Sequence, residues 1–263
     1  RLFLNTLYAN PAAVLGAAAL SRAQVEEPGG ADGAAWIDWP RAGAHRQRLL
    51  RALHRQFRTV AAADLRERYA RFCAEQGQPL RDHAVFEALH AVRGGDASPW
   101  TQWPVPWRDP ESACVRRFAR RHAFEVDFHQ FAQWLAAESL AAAHAAGREA
   151  GMRIGLIADL AVGDSPDGSH AWSRQADLVP RAAIGAPPDI HNPLGQNWNL
   201  TAFSPRALAA AGYAAFIDML RAALAHAGGV RIDHILGMAR LWLVPAGAPA
   251  TAGAYLRYPL QTL

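Results

Sequence analysis

Two short apolar runs in this sequence each end in a carboxylate, and those carboxylates are well placed to do chemistry. Arg153-Ile-Gly-Leu-Ile-Ala158 leads into Asp159, and Val230-Arg-Ile232 leads into Asp233. In a parallel barrel, groups at the C-terminal ends of strands face the loops where substrates bind. An ionised aspartate there can act as a nucleophile if a neighbour keeps it charged. Arg231 stands two residues before Asp233, so the pleat projects both side chains to one side of a strand. His234 follows and offers a ring N–H to a bound hydroxyl. A purely structural ion pair between Arg231 and Asp233 explains the same spacing, and position alone leaves the two readings even. The stretch before them tips the balance a little toward chemistry. Asp189, Gln196 and Trp198 add a carboxylate, an amide and an indole. That is the inventory of a sugar site, with polar groups for hydroxyls and an aromatic face for the ring.

These residues need elements to hold them. Residues 151–263 read as short strand, loop, helix, strand. The two apolar runs are expected to be buried strands, and Ala239 to Val244 is a third. A Ser-Pro start and a Gly228-Gly229 stop bound a helix from Ser204 or Pro205 to about Ala227. The Gly- and Pro-rich stretch from Gly163 to Asn199 is long enough to be a functional loop. Strands alternating with helices argue a parallel sheet or barrel.

Residues 1–150 read as helical. Leu49, Leu50, Leu53, Phe57, Val60, Leu65 and Tyr69 recur at steps of three and four and predict one helix over Ala44 to Ala70. A second runs through Phe86, Leu89 and Val92 to Gly94-Gly95, and a third covers Asp127 to Arg148. Between these last two lies Trp100-Thr-Gln-Trp103-Pro-Val-Pro-Trp107. Indoles there could form a sugar platform, but large aromatics more commonly pack irregular segments between helices, and that reading is preferred.

Composition narrows the field. The chain has 263 residues, about half of them apolar, which is enough for a large core. All 27 basic residues are arginine, and with the heavy use of alanine this looks like codon bias rather than surface design. The net charge of +4 is dispersed, and Arg116, Arg117, Arg120 and Arg121 read as a solvated helix face. No nucleic-acid partner is expected, because clustered basics with interleaved aromatics are missing. Cys73 and Cys114 are expected to be buried free thiols of a reducing compartment, since neither belongs to a ligand pattern. No metal and no organic cofactor is implied. No apolar run reaches the roughly 18 residues of a membrane span, so no membrane association is expected. There is no Gly-x-Gly-x-x-Gly and no Walker loop, and nucleotide-binding readings lose their support.

The motifs taken together resemble the 4-α-glucanotransferases (amylomaltases or disproportionating enzymes). Val230-Arg-Ile-Asp-His234, with Gly237, Arg240, Trp242 and Pro245, resembles the family's fourth-strand motif, whose aspartate is the nucleophile. Gly185-Ala-Pro-Pro-Asp189 and Gly195-Gln-Asn-Trp198 resemble its Gly-x-Pro-Pro-Asp and Gly-Gln-x-Trp signatures, in the right order. Ile157-Ala-Asp-Leu-Ala-Val-Gly163, with Asp167 and Trp172, resembles the third-strand region. Gly253-Ala-Tyr-Leu-Arg-Tyr-Pro259 and Arg1-Leu-Phe-Leu-Asn5 are also similar to family sequence. Two departures stand out: Asn199, where the family usually has glycine, and Gln261-Thr262, where many relatives carry acids.

The resemblance implies an α/β fold, the (β/α)8 TIM barrel of the alpha-amylase type, incomplete here and carrying a large helical insertion. Residues 1–150 would be mainly the helical insertion, and 151–263 the barrel around strands three and four. It implies Asp233 as nucleophile, Arg231 as the group keeping it ionised, and Asp159, Asp189, Gln196, Trp198 and His234 as substrate-binding residues. The substrates would be malto-oligosaccharides and α-1,4-glucans, and the location the cytoplasm.

Retaining glycosidic chemistry needs two carboxyl groups about 5–5.5 Å apart. In the family the acid/base is a glutamate on the next strand, whereas this sequence has no glutamate after Glu149. With no initiator methionine either, the chain is expected to be the middle of an enzyme, inactive and poorly soluble by itself. A hydrolase of the same superfamily, a non-catalytic glucan-binding module and a structural fragment remain as alternatives.

Overall fold

A computed structural model of the chain describes residues 2–23, 25, 36–95 and 98–259. Arg1, which opens one of the resembling segments, and Gln261-Thr262, one of the two departures, lie outside them. The elements in chain order are α1 (Pro11–Leu15), α2 (Ala17–Ala23), α3 (Trp39–Val60), α4 (Ala63–Val92), α5 (Val105–Arg108), α6 (Ala113–Arg121), α7 (Ala123–Glu149), β1 (Ile157–Leu160), α8 (Ser169–Ser173), β2 (Ala182–Ala186), β3 (Gln196–Leu200), α9 (Pro205–Ala210), α10 (Ala214–Leu224), β4 (Gly229–Ile232), β5 (Arg240–Pro245) and β6 (Ala254–Arg257). They form two compact units. Phe3–Ala88 with Ala119–Gly151 makes one, and Leu89–Phe118 groups with the residues from Met152 onward in the other.

In the helical unit, Asp38 caps α3 by accepting from the Arg41 N–H at 3.1 Å, with Pro40 in the first turn. Leu50, Leu53 and Phe57 recur on one face of α3 and pack with Phe128, Phe131, Trp134 and Leu135 of α7. The helix expected over Ala44 to Ala70 is two helices. α3 stops at Val60 because Ala61 is extended, and the reversal brings Tyr69 of α4 edge-on to Phe57 at 5.6 Å between ring centroids. Burying both rings against Phe131 is worth more than continuing an exposed helix, so tertiary packing overrides local periodicity. α4 itself is interrupted at Gly77, where φ is 55° and ψ −139°, two residues before Pro79.

The polar centre of this unit is Asp127. His54 donates from Nε2 to its Oδ2 at 2.8 Å, Tyr69 donates to its Oδ1 at 2.7 Å, and Arg58 lies 3.7 Å away. Burial alone would raise the Asp127 pKa, but the hydrogen bonds and charges outweigh it and the net displacement is downward. Burial, then Asp127, pushes the Tyr69 hydroxyl upward. Cys73 beside it is half-buried and also raised, chiefly by burial. Both cysteines are free thiols, and neither is fully buried.

The second unit holds the strands. β1 and β4 pair in parallel, with Asp159 opposite Arg231 and Leu160 opposite Ile232. The apolar runs leading into these strands are less buried than expected. Ile157 is 59% exposed and the described strands pair only with each other. The stretch from Gly163 to Asn199 is not one long loop. It contributes α8, β2 and β3, and these strands join an antiparallel sheet of order β3-β2-β5-β6. Ile184, Ala202 and Leu243 form its buried centre, with Trp198, Leu200, Leu241 and Leu256 packed around them. The strand expected over Ala239 to Val244 is β5, whereas β2, β3 and β6 escaped sequence reading because they are only four or five residues long. The helix expected from Ser204 or Pro205 to Ala227 is also two, α9 and α10, separated by Gly212 and Tyr213 in left-handed conformation. Trp100 and Trp103 are buried, and their indole N–H groups donate to the carbonyls of Pro166 and Ser98. They wedge irregular backbone, the packing role expected of them.

Candidate active site

Parallel pairing puts the ends of β1 and β4 side by side, so the two aspartates and Arg231 arrive together. Arg231 Nε lies 2.6 Å from Asp159 Oδ1, and its Nη2 lies 3.8 Å from Asp233 Oδ2. The guanidinium thus bridges the two carboxylates, with its tighter contact to Asp159. All three side chains are about two-thirds exposed, so these charges are well hydrated. Asp233 Oδ1 accepts the backbone N–H of His234 at 2.9 Å, while Oδ2 stands 3.9 Å from His234 Nε2. His234 has φ 49° and ψ 49°, a left-handed conformation uncommon for a residue with a side chain. It reverses the chain after β4 into a 3-10 turn over Ile235–Met238 and turns its ring toward Trp198, at 4.7 Å between centroids.

Asp233, His234 and Trp198 line one cleft of about 500 Å³, within the range of small-ligand pockets. Trp198 is held by its indole N–H, which donates to Gln196 Oε1 at 2.7 Å. Gln196 therefore orients the indole. Asp189 performs a different task. Its Oδ1 accepts the backbone N–H groups of His191 and Asn192 at 2.8 and 2.7 Å, closing the turn between β2 and β3. Of the residues singled out from sequence, Asp233, His234 and Trp198 line the cleft. Asp159 and Arg231 are joined to Asp233 through ion pairs, while Gln196 and Asp189 fix the segment carrying Trp198.

Two glycines set the position of that segment. A Cβ on Gly185 would stand 2.0 Å from the Gln196 carbonyl oxygen, so β2 and β3 approach this closely only through glycine. Gly195, with φ 67°, would bring a Cβ within 2.9 Å of the Ala186 carbonyl oxygen. Asn199 has φ 52°. The family's usual glycine at this place and the asparagine here therefore answer one demand, for a residue that tolerates left-handed backbone.

The cleft also holds residues not selected from sequence. Tyr255 faces Trp242 across the β5–β6 register, 5.1 Å between rings, and the Arg240 guanidinium lies 4.7 Å from the Tyr255 centroid. All three line the same cleft. The signal was the alternation of Arg240 and Trp242, but it gains meaning only once β6 is known to pair antiparallel. Asp164 and His170 form a second missed pair, with Nδ1 2.5 Å from Oδ2 and both side chains buried. The Asp164 carbonyl accepts the Thr201 N–H at 2.8 Å, tying the loop after β1 to the end of β3. Among the described residues, no group of three or more His, Cys, Asp or Glu is arranged to hold a metal ion. Among them, too, no helix is long and apolar enough to cross a membrane.

A family model described as 4-alpha-glucanotransferase matches residues 1–263. The 4-alpha-glucanotransferase of Mycobacterium tuberculosis is 43% identical over 84% of this chain, and the chain spans 30% of that relative's length. That of Thermus thermophilus is 31% identical over 91% of the chain, which spans 48% of it. Among solved structures, amylomaltase from Corynebacterium glutamicum superposes with a TM-score of 0.74 at 29% identity, covering 99% of this chain and 35% of that one. Amylomaltase from Streptococcus agalactiae, in complex with acarbose, gives a TM-score of 0.78 at 17% identity over 86% of this chain and 46% of that one, a likeness of fold. The parallel pair with its helices is accordingly part of a TIM barrel of the alpha-amylase type.

Proposed function

The chain belongs to the 4-alpha-glucanotransferase family, and on that premise we propose that its parent protein moves α-1,4-glucan segments between malto-oligosaccharides. The observation that carries the reading is the strand-end cluster of Asp159, Arg231 and Asp233 beside the aromatic cleft. Asp233 Oδ2 attacks the anomeric carbon of the donor as the glycosidic bond breaks, and a glucanyl ester forms on Asp233. A proton must reach the departing 4-hydroxyl oxygen, and the group supplying it lies outside the residues assigned here. The 4-hydroxyl of a second glucan then attacks the same carbon from the other side and gives its proton back to the group that protonated the leaving oxygen, releasing the Asp233 carboxylate and restoring the α configuration.

Arg231 bridges the two carboxylates, while Asp159, its tighter partner, holds the guanidinium in register. Trp198, with Trp242 and Tyr255, supplies apolar surface for pyranose rings. Gln196 and Asp189 keep that surface in place, and His234 offers a ring N–H to a sugar hydroxyl. Residues 1–150 serve mainly as a helical insertion and 151–263 as the barrel around its third and fourth strands. No cofactor, metal, nucleic acid or membrane is required, and the cytoplasm, where storage glucans are metabolised, is the proposed location.

The test uses the full-length enzyme with a donor whose glucanyl ester survives long enough to trap. The ester should map to Asp233 by mass spectrometry, and Asp233→Asn should eliminate it while maltotriose still binds. Glucose and longer oligomers appearing from maltotriose at undiminished rate in that variant would overturn the assignment.

A further inference from the structure

The antiparallel sheet borders a second cavity, of about 560 Å³, that shares strand β3 with the cleft but none of its lining residues. Asn197 and Asn199 flank Trp198 in sequence and line this second cavity, while Trp198 itself lines the cleft. Trp100, Val179 and Pro180 give it apolar walls, and Gln175, Thr101 and Arg181 add polar groups. No carboxylate, histidine or cysteine lines it. Arg181 has no ion-pair partner among the described residues, and neither does the side-chain amide of Asn199 have a hydrogen-bond partner there.

The backbone is unusual at the same two places. Four non-glycine residues have positive φ among the described residues, and two of them, Arg181 at 56° and Asn199 at 52°, line this cavity. A left-handed arginine costs on the order of 1 kcal/mol, and such conformations persist where the surroundings enforce them, commonly at binding sites. Arg181 is enforced by its carbonyl, which accepts the Ala246 N–H at 2.9 Å, and Asn199 by its N–H, which donates to Asn197 Oδ1 at 2.8 Å.

We propose that this cavity is a second carbohydrate site that binds a neutral malto-oligosaccharide segment without cleaving it. The chemistry selects that class. A lone guanidinium among amides and two threonine hydroxyls suits ligand hydroxyls, which both donate and accept, better than a multiply charged anion. An apolar ligand would displace water from the Arg181 and Asn199 side chains without replacing its hydrogen bonds. Indole and aliphatic walls suit the C–H faces of pyranose rings. The ligand identity rests on the glucanotransferase reading above. Because β3 serves both sites, an occupied cavity would hold the strand that carries Trp198.

The experiment titrates maltoheptaose into full-length Asp233→Asn enzyme by calorimetry, with Arg181→Gly and Asn199→Gly as the second variant pair. Glycine is at ease where φ is positive, so these substitutions remove side chains without disturbing the backbone. Two classes of site are expected, one of which weakens by about tenfold or more in the Gly pair, as befits losing two hydrogen-bonding groups. Hydrogen exchange adds a readout independent of the variants: maltoheptaose should protect residues 179–183. A single class of site, no protection at 179–183, or competition by inorganic phosphate overturns the second site while leaving the cleft intact. Failure of the underlying reading looks different, with no maltoheptaose bound anywhere and no transfer by the unsubstituted enzyme.

Discussion

Asp127 in the helical unit and Asp233 after β4 each stand beside a histidine and an arginine, yet the two clusters are built differently. Asp127 is 31% exposed and receives His54 and Tyr69 at 2.7–2.8 Å. Asp233 is 61% exposed, with His234 Nε2 and Arg231 Nη2 at 3.8–3.9 Å. The first carboxylate has its lone pairs engaged by neighbours that are themselves packed, and its charge is part of the fold. In the second, Oδ2 keeps its charged neighbours beyond hydrogen-bonding distance and faces a cleft. Identical residue types thus make a packed network in one place and an open, cleft-facing cluster in the other, the one for which a reaction centre is proposed.

That contrast predicts opposite responses to matched substitutions. The largest effect should come from Asp233→Asn in the full-length protein, where loss of the proposed nucleophile should lower transfer on the order of 10³-fold or more. The melting temperature should stay within a degree or two. A collapse of stability instead would put Asp233 in the same class as Asp127. Next comes Gly185→Ala, whose Cβ would meet the Gln196 carbonyl oxygen at 2.0 Å. Separating β2 from β3 should cost about 3 kcal/mol in denaturant unfolding. The same substitution should raise KM more than it lowers kcat, because Trp198 moves with β3.

Asp127→Ala should be milder, about 2 kcal/mol of stability, since it strands the buried His54 ring without its acceptor. Maltotriose turnover per folded molecule should be unchanged, and a large drop in kcat would erase the distinction between the clusters. The comparison also extends to pH dependence, which accumulates gradually on acidification. Burial lowers His83 to about 3 and His129 to about 4, from an ordinary 6.5, with charged neighbours contributing after it. In the unfolded chain these rings take up protons below pH 6.5, whereas in the folded one they stay neutral until about 4 and 3. Stability is therefore complete above pH 6.5 and falls by about 1.4 kcal/mol per pH unit for each ring on acidification. Asp127, lowered from its ordinary value, acts in the same direction, its contribution fading as pH falls through the carboxylate range. Hydrogen exchange at pH 7 and pH 5 should show α4 and α7, which carry His83 and His129, losing protection while β2 and β5 hold theirs. Equal losses in both units would show that the histidines are not the cause.

Part of the candidate site was legible because its constraints are local: Asp233 follows Val230-Arg-Ile232 in a pleat that fixes its direction. The backbone demands met by Gly185 and Asn199 became visible only with the pairing of β2 and β3. What sequence did not reveal depends on pairing between distant segments. Arg231 looked like the partner of Asp233, but its tighter contact is Asp159, which the parallel register places directly opposite. Tyr255 gains its role only through its pairing with Trp242. In the helical unit, the periodicity that located Leu50, Leu53 and Phe57 ran on past Val60, because a 3.6-residue repeat carries no mark of a reversal that exists to bury Tyr69 against Phe131. The aromatic segment at Trp100 was read correctly as packing, though one face of it also borders a cavity that no local pattern announces.

The bridging arginine has an electrical consequence. Counting Asp159, Arg231 and Asp233 together, two ionised carboxylates around one guanidinium leave the strand ends with a standing excess of one negative charge. A glycosidic transition state gathers positive charge on the sugar ring as its bond to the leaving oxygen lengthens. With only Arg231 and Asp233 present, the pair would sum to zero and offer that cation little. With Asp159 added, the guanidinium is already compensated, and on the proposed reading the cleft keeps a net negative charge whose reach is set by how far a bound glucan displaces the water around these exposed side chains.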